Sequence, residues 1–265
     1  MPHAVLITGE EGTGKATLAR ELAAELLGVD LHKHPYYLEV SPEKQTISIE
    51  SIRQLRDFLG RKTTGTNPLR RAVVVIDGHL MTTEAQNALL KNLEEPPADT
   101  LLIITASDIT KLLPTIRSRT QQVHVVPVSF SQATTYYPTI DNKELLSAYY
   151  MSDGRAGLMH ALLTHNHTHP LVAAIAEAKE LLRLGQYERL ARVDGLSKQK
   201  DNLALLLIGM QRILASGLKQ AVAKQNITQT KSFYAGSKAV RDAQAALRYN
   251  VNTKLLLTDL FLSLA

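Results

Sequence analysis

The stretch Gly9-Glu10-Glu11-Gly12-Thr13-Gly14-Lys15 decides how the rest of the chain is read. The apolar run Ala4–Thr8 leads into it. An Ala-rich segment, Lys15 to Leu27, leads out with helical spacing at Leu18, Leu22 and Leu26. In a strand, glycine-rich turn and lysine-led helix, backbone N–H groups curl around phosphate oxygens. The lysine reaches the terminal phosphates, and the helix dipole favours the anion. Gly9, Gly12, Thr13, Gly14 and Lys15 are therefore candidate nucleotide-binding residues. A hydrolytic loop of this type follows its lysine with Ser or Thr to hold Mg²⁺. Here that residue is Ala16, and Thr17 lies about 100° further round the helix, pointing away.

Outward from this loop the first half alternates short apolar runs with helical patterns. Tyr36–Val40, Ile47–Ile49, Ala72–Ile76, Leu101–Thr105 and Val123–Val126 read as β segments; Ile49–Leu59, Ala85–Leu93 and Leu112–Ser118 read as helices. Thr83-Glu84-Ala85-Gln86 reads as a capping box for the third helix, and Pro96-Pro97 stops it. This alternation, with no hairpin signal, predicts a parallel sheet covered on both faces. Asp77 ends the β-branched run, where a Mg²⁺-associated carboxylate is expected. The next residue, where an ATPase of this kind carries a glutamate to orient water, is Gly78. With both the metal hydroxyl and this carboxylate missing, hydrolysis by the chain alone is not expected.

After Pro127 the β signal stops. Ser131–Tyr136, Lys143–Tyr150 and Arg155–Leu163 read as short helices, and the polar stretch Thr164–Pro170 as a linker. Leu171–Leu184, Tyr187–Asp194, Lys200–Gln225, Tyr234–Tyr249 and Thr253–Leu264 read as longer amphipathic helices. The boundaries are 1–126 for the α/β domain, 127–166 for a small helical module and 167–265 for a helical bundle. The chain has 265 residues and neither cysteine nor tryptophan, which excludes disulfides and thiolate zinc sites. No run approaches the ~18–20 apolar residues of a membrane span and no basic leader precedes the first strand, so a cytoplasmic protein is expected. Residues 1–126 carry 14 basic and 15 acidic side chains, and residues 127–265 carry 16 and 10. The surplus of +5 therefore lies in the helical half. Basic helices could meet nucleic acid or an acidic partner, or could simply carry Lys and Arg on solvated faces.

Two further strings are more specific than the phosphate loop. One runs from Val74-Val75-Ile76-Asp77-Gly78 through Asn87-Ala88-Leu89-Leu90-Lys91-Asn92-Leu93-Glu94-Glu95-Pro96-Pro97. The other is Leu113-Pro114-Thr115-Ile116-Arg117-Ser118-Arg119-Thr120. With His3-Ala4, Ile47–Arg56 and Asn250-Val251-Asn252 in support, the chain resembles the AAA+ clamp-loader subunits, and among them the bacterial delta-prime subunits of DNA polymerase III. The resemblance is dense over 3–126 and thin to the C-terminus. It implies a P-loop AAA+ parallel-sheet domain, then a helical lid and an all-α collar that joins subunits. It also implies partners: gamma/tau and delta subunits, a sliding clamp, and primed DNA through the assembled ring. In such rings a delta-prime-like subunit is a poor or inactive ATPase within a DNA polymerase holoenzyme. It offers an arginine in trans to the ATP of a gamma/tau neighbour. Here Ser118-Arg119-Thr120 makes Arg119 that finger, with Thr in place of the usual Cys. Ser107 falls near a sensor position, and Arg155, in Asp153-Gly154-Arg155-Ala156-Gly157, near a phosphate-contacting lid position. The apolar helix Leu203–Val222 is expected to pack against neighbouring collars.

Two departures qualify the resemblance. Many relatives carry a four-cysteine zinc module after the first helix; without cysteine it is absent, and Gly28–His34 is only a connector. His32, His34, His165, His167 and His169 are loop histidines without the companions of a metal site, so no metal is expected. Relatives also carry a helical segment ahead of His3. Either the adenine pocket is incomplete and ATP binding weak or absent, or the true start lies upstream. The alternatives to the delta-prime reading are a self-sufficient, gamma/tau-like AAA+ ATPase and a DNA-binding module using the basic helices.

Overall fold

A computed structural model describes residues 3–28, 31, 34–65, 67–166, 168–247, 249 and 251–264. His32, His167 and Asn250 lie outside the described residues. The chain divides into two compact units, Met1–Pro127 and Val128–Ala265.

In the first unit five parallel strands, β1 (Ala4–Thr8), β2 (Tyr37–Val40), β3 (Arg71–Val75), β4 (Thr100–Ala106) and β5 (Gln121–His124), form one sheet in the order β2-β3-β4-β1-β5. Successive strand residues point to opposite faces, and the core divides accordingly. Leu6, Val73, Val75, Leu102 and Ile104 pack with Ile52 and Leu55 of helix α2 (Ile49–Leu59) and Leu89 of helix α3 (Thr83–Glu94). Ile7, Ala72, Val74 and Ile103 pack on the other face with Ala19 and Ala23 of helix α1 (Lys15–Leu27). A central β-branched run buried on both faces is the reason Ala72–Ile76 reads as continuously apolar.

Several local expectations shift. The contact face of α1 is its alanines: Leu18 and Leu22 are 36% and 37% exposed, while Ala19 and Ala23 are fully buried, because small side chains bring the helix close to the sheet. Ile47 makes an isolated bridge to Met81, and α2 begins two residues later behind the Ser48 cap. The cap of α3 is Thr82, whose hydroxyl accepts from the Ala85 N–H at 3.2 Å. The box expected at Thr83 and Gln86 does not form. Gln86 is buried and turns inward instead. The helix expected over Leu112–Ser118 is shorter, α4 (Pro114–Ser118), and the last strand lies two residues earlier than expected.

The second unit is all helical: α5 (Phe130–Tyr136), α6 (Asn142–Ser152), α7 (Ala156–Leu163), α8 (Pro170–Arg183), α9 (Gln186–Ala191), α10 (Val193–Ser197), α11 (Lys200–Ala223), α12 (Ile227–Leu247) and α13 (Thr253–Ser263). The single helix expected over Tyr187–Asp194 is two short ones meeting at Arg192. Helix α12 begins seven residues before the expected Tyr234. Within this unit α11 is the central helix. Its Leu203, Leu206, Leu207, Met210 and Leu214 are buried against α8, α12 and α13, so its apolar row serves its own core. The expectation that this row packs on neighbouring subunits is corrected accordingly. Lys219 pairs with Asp153 at 2.7 Å and Arg212 donates to the Met151 carbonyl at 2.9 Å, fastening the end of α6 to α11. The Lys219 hydrogen bond, more than the nearby positive charges, holds the Asp153 carboxyl below its ordinary range. No helix among the described residues is long and apolar enough to cross a membrane.

Candidate functional site

In a parallel sheet all strand C-termini meet at one edge, and ligands bind in the crevice there. Gly9 follows β1, Asp77 follows β3 by one residue and Ser107 follows β4, so the topology gathers these candidates at that edge. Gly9, Gly12 and Gly14 have φ of 145°, 82° and 92°, a region nearly reserved for glycine. At Gly9 a Cβ would also stand 2.4 Å from the Val125 carbonyl oxygen. Gly14 caps α1 with no side-chain bond to the first-turn N–H groups. Thr13 and Lys15 are buried. The Thr13 hydroxyl and Lys15 Nζ both donate to the Glu10 carbonyl, at 2.8 Å and 2.7 Å. This loop fits a polyphosphate, which the backbone N–H groups and Lys15 would hold, while the Asp77 carboxylate would face a cation bound to it. Ala16 packs on the core beneath the sheet and Thr17 faces solvent, so neither supplies a metal-facing hydroxyl.

Asp77 sits in left-handed backbone with φ 51°, and its N–H donates to the buried Thr105 hydroxyl at 2.9 Å. Gly78 is buried, and a Cβ there would lie 2.6 Å from Ile104 Cγ2 and 3.4 Å from Met81 Cε. The missing glutamate thus has a steric counterpart: no side chain fits at position 78 without moving the core. Gly78→Ala is expected to destabilise the chain by about 1–3 kcal/mol through overpacking. An unchanged midpoint in chemical denaturation would contradict this.

His79 joins the site unannounced by its sequence context. Its side chain is 12% exposed, and its Nδ1 lies 4.0 Å from Asp77 Oδ1 and accepts from the Ser107 N–H at 3.4 Å. Burial holds the imidazole below its ordinary pKa, against the opposing pull of Asp77. His79 thus links the loops after β3 and β4 as a neutral acceptor. Gln86 was the other missed residue. Its amide donates to the Met81 and Lys111 carbonyls, at 3.3 and 3.0 Å, and its Oε1 accepts from the Leu113 N–H at 2.8 Å. It ties α3 to the segment that opens α4. The only sequence signal was a polar residue on the helix face that also carries Leu89 and Leu93.

Arg119 stands elsewhere. It caps the C-terminus of α4, is exposed, donates to the Thr115 carbonyl and pairs with Glu94 at 2.9 Å. The two specific strings of the sequence therefore meet at one surface. Val5 pairs with Gln121 and Thr8 with His124, so Arg119 stands level with the start of β1. Gly9 follows its end, roughly 20 Å away along the strand direction. One side chain does not span that distance. Arg155 belongs to the second unit, where it precedes α7 and its charge helps depress Asp153. His34, His165 and His169 are engaged locally, with the Tyr36 N–H, Glu144 and the Leu171 N–H. No group of three or more metal-ligating side chains occurs among the described residues.

Residues 28–129 match the family model described as DNA polymerase III, delta subunit. The chain is 31% identical over 182 residues to DNA polymerase III subunit delta' of Escherichia coli K12, covering 60% of this chain and 54% of that protein. It is 35% identical over 138 residues to the delta' subunit of Pseudomonas aeruginosa, covering 45% and 42%. The chain thus spans about half the length of the curated relatives it matches. Among solved structures, a DNA polymerase III gamma subunit-related protein from Thermotoga maritima shares the fold. Its TM-score is 0.59 at 22% identity, over 98% of this chain and 93% of that one. The parallel sheet followed by helices is the fold that the chain shares with that protein. Over the matched residues the chain is similar to DNA polymerase III delta' subunits.

Proposed function

We propose that this chain is a hydrolysis-deficient member of a replicative clamp loader that supplies Arg119 in trans to ATP held by a neighbouring gamma/tau-like subunit. The observation that carries the reading is the separation of two edges. The chain's own phosphate-loop edge has Ala16 and a Gly78 with no room for a side chain. Arg119 stands exposed at the opposite edge, roughly 20 Å from Gly9, where another chain can reach it. Its pair with Glu94 joins two exposed side chains, an interaction worth about 0–1 kcal/mol, so the guanidinium is readily redirected.

The loop Gly9–Lys15, with Asp77 and Ser107 beside it, binds ATP as a structural ligand in this reading. Residues 127–166 are the lid in this reading, with Arg155 its phosphate-contacting candidate, and residues 167–265 are a collar joining subunits. The gamma/tau and delta subunits are the direct partners, and the ring they complete loads a sliding clamp onto primed DNA. Co-expression tests the assembly directly: the tagged chain is expected to retain gamma/tau and delta subunits in a stable complex. Recovery of the chain alone, with Mg²⁺-dependent ATP turnover that Lys15→Ala abolishes, would overturn the reading in favour of a free-standing ATPase.

A further inference from the structure

Part of the basic surplus of the helical half is engaged within the unit. Arg192 pairs with Glu180, Lys219 with Asp153 and Lys254 with Asp194. Arg189 is buried and donates to the Leu184 and Leu264 carbonyls, and Arg212 donates to Met151. Among the described residues Lys143, Lys179, Arg183, Lys198 and Lys224 also pair with no carboxylate, and helix α12 differs in setting an exposed aromatic ring within a row of such cations. Its Gly236, Ser237, Val240 and Ala243 face the core, and the opposite side exposes Lys231, Tyr234, Lys238 and Arg241. These four recur at three- and four-residue steps, which places them in one row about 15 Å long. Among the described residues no carboxylate pairs with Lys231, Lys238 or Arg241, and the helix carries one acid, Asp242, at the flank of the row. Tyr234 is 56% exposed between the two lysines.

We propose that this row of α12 binds single-stranded nucleic acid, with Lys231, Lys238 and Arg241 on successive phosphates and Tyr234 stacking on a base. Unpaired cations in a line complement a phosphate backbone. An exposed aromatic ring between them adds what an acidic polypeptide does not use and an unpaired base does. The charge alone would serve any polyanion; Tyr234 decides for the single strand. The surface is independent of Arg119 and of the phosphate loop, so this inference stands or falls apart from the proposed ring function.

The test is fluorescence anisotropy of labelled dT and rU 20-mers titrated with the full chain between 50 and 200 mM salt. Three phosphate contacts give a log–log salt slope of about −2, hence roughly 20-fold weaker binding across that range. The combined variant Lys231→Gln/Lys238→Gln/Arg241→Gln should lose the slope and most of the binding. Tyr234→Ser should weaken binding about fivefold or more and leave the slope in place. All four positions are solvent-facing, and unchanged helical circular dichroism checks that the variants fold. The dT and rU arms report whether the sugar matters. No binding at 50 mM salt, equal binding by the triple variant, or equally tight binding of a poly-glutamate probe insensitive to Tyr234→Ser would overturn the proposal.

Discussion

Replacing Arg119 with alanine is expected to lower ATP hydrolysis by the assembled ring at the neighbouring site by ~10³–10⁵-fold, the range for arginines supplied in trans to nucleotide phosphates. That corresponds to about 4–7 kcal/mol of barrier. The fold itself should hardly respond. Arg119 is exposed, and its bonds to Glu94 and the Thr115 carbonyl are surface interactions, so the unfolding midpoint should move by less than about 1 kcal/mol. Arg119→Lys should recover little, because an ammonium on a flexible stem does not reproduce the planar fork that spans two phosphate oxygens. Glu94→Gln releases the arginine without removing it and should leave turnover near the parent value. A large rate loss with unchanged stability is the signature of a group that acts on another chain.

Arg71 is the opposite case, with a large effect on stability and none on chemistry. It opens β3, is 2% exposed, and donates to the Leu59 and Arg61 carbonyls, the open end of α2. Its guanidinium also lies over the Phe58 ring, 5.4 Å from the centroid. Nearby Asp99 would have its carboxyl pushed up by burial. The Thr63 hydroxyl bond and the Arg71 charge more than offset this and keep it ionised. Arg71→Met keeps the stem, removes the charge, and strands the Leu59 and Arg61 carbonyls, while Asp99 keeps Arg70 and the Thr63 hydroxyl. A loss of about 2–5 kcal/mol is expected from leaving two acceptors unpaired, and it should appear as faster amide exchange across β3 and β4. Exchange unchanged in those strands would show that the arginine does not hold α2 to the sheet.

How far the sequence could be read depended on whether a feature is local. The turn Gly9–Lys15 and the β-branched run Ala72–Ile76 carry their conformations in a few adjacent residues, so the sheet and its loaded edge were legible. That Ala16 and Gly78 stand where a hydroxyl and a carboxylate are expected is equally legible. What Gly78 packs against was not, because Ile104 lies on another strand. Gln86 reads locally as part of a cap. Its actual partners, Lys111 and Leu113, are set by how the next segment folds over α3. Helix α11 was read correctly as apolar, but a row of leucines does not say whether the surface it covers belongs to its own unit or another. The basic surplus was visible as composition; the alignment of Lys231, Lys238 and Arg241 with the exposed Tyr234 on one face of α12 appeared only with the helix's buried side fixed by its packing.

In the proposed ring the chain contributes to ATP hydrolysis through Arg119 and not through its own phosphate loop. Two single variants in the same reconstituted assembly separate these directly: Arg119→Ala and Lys15→Ala, each compared with the parent for DNA-stimulated ATP hydrolysis at equal complex concentration. The expected result is a collapse of turnover at the adjoining site with Arg119→Ala and turnover close to the parent with Lys15→Ala. Full activity with Arg119→Ala together with loss in Lys15→Ala would contradict the account and make this chain an ATPase in its own right.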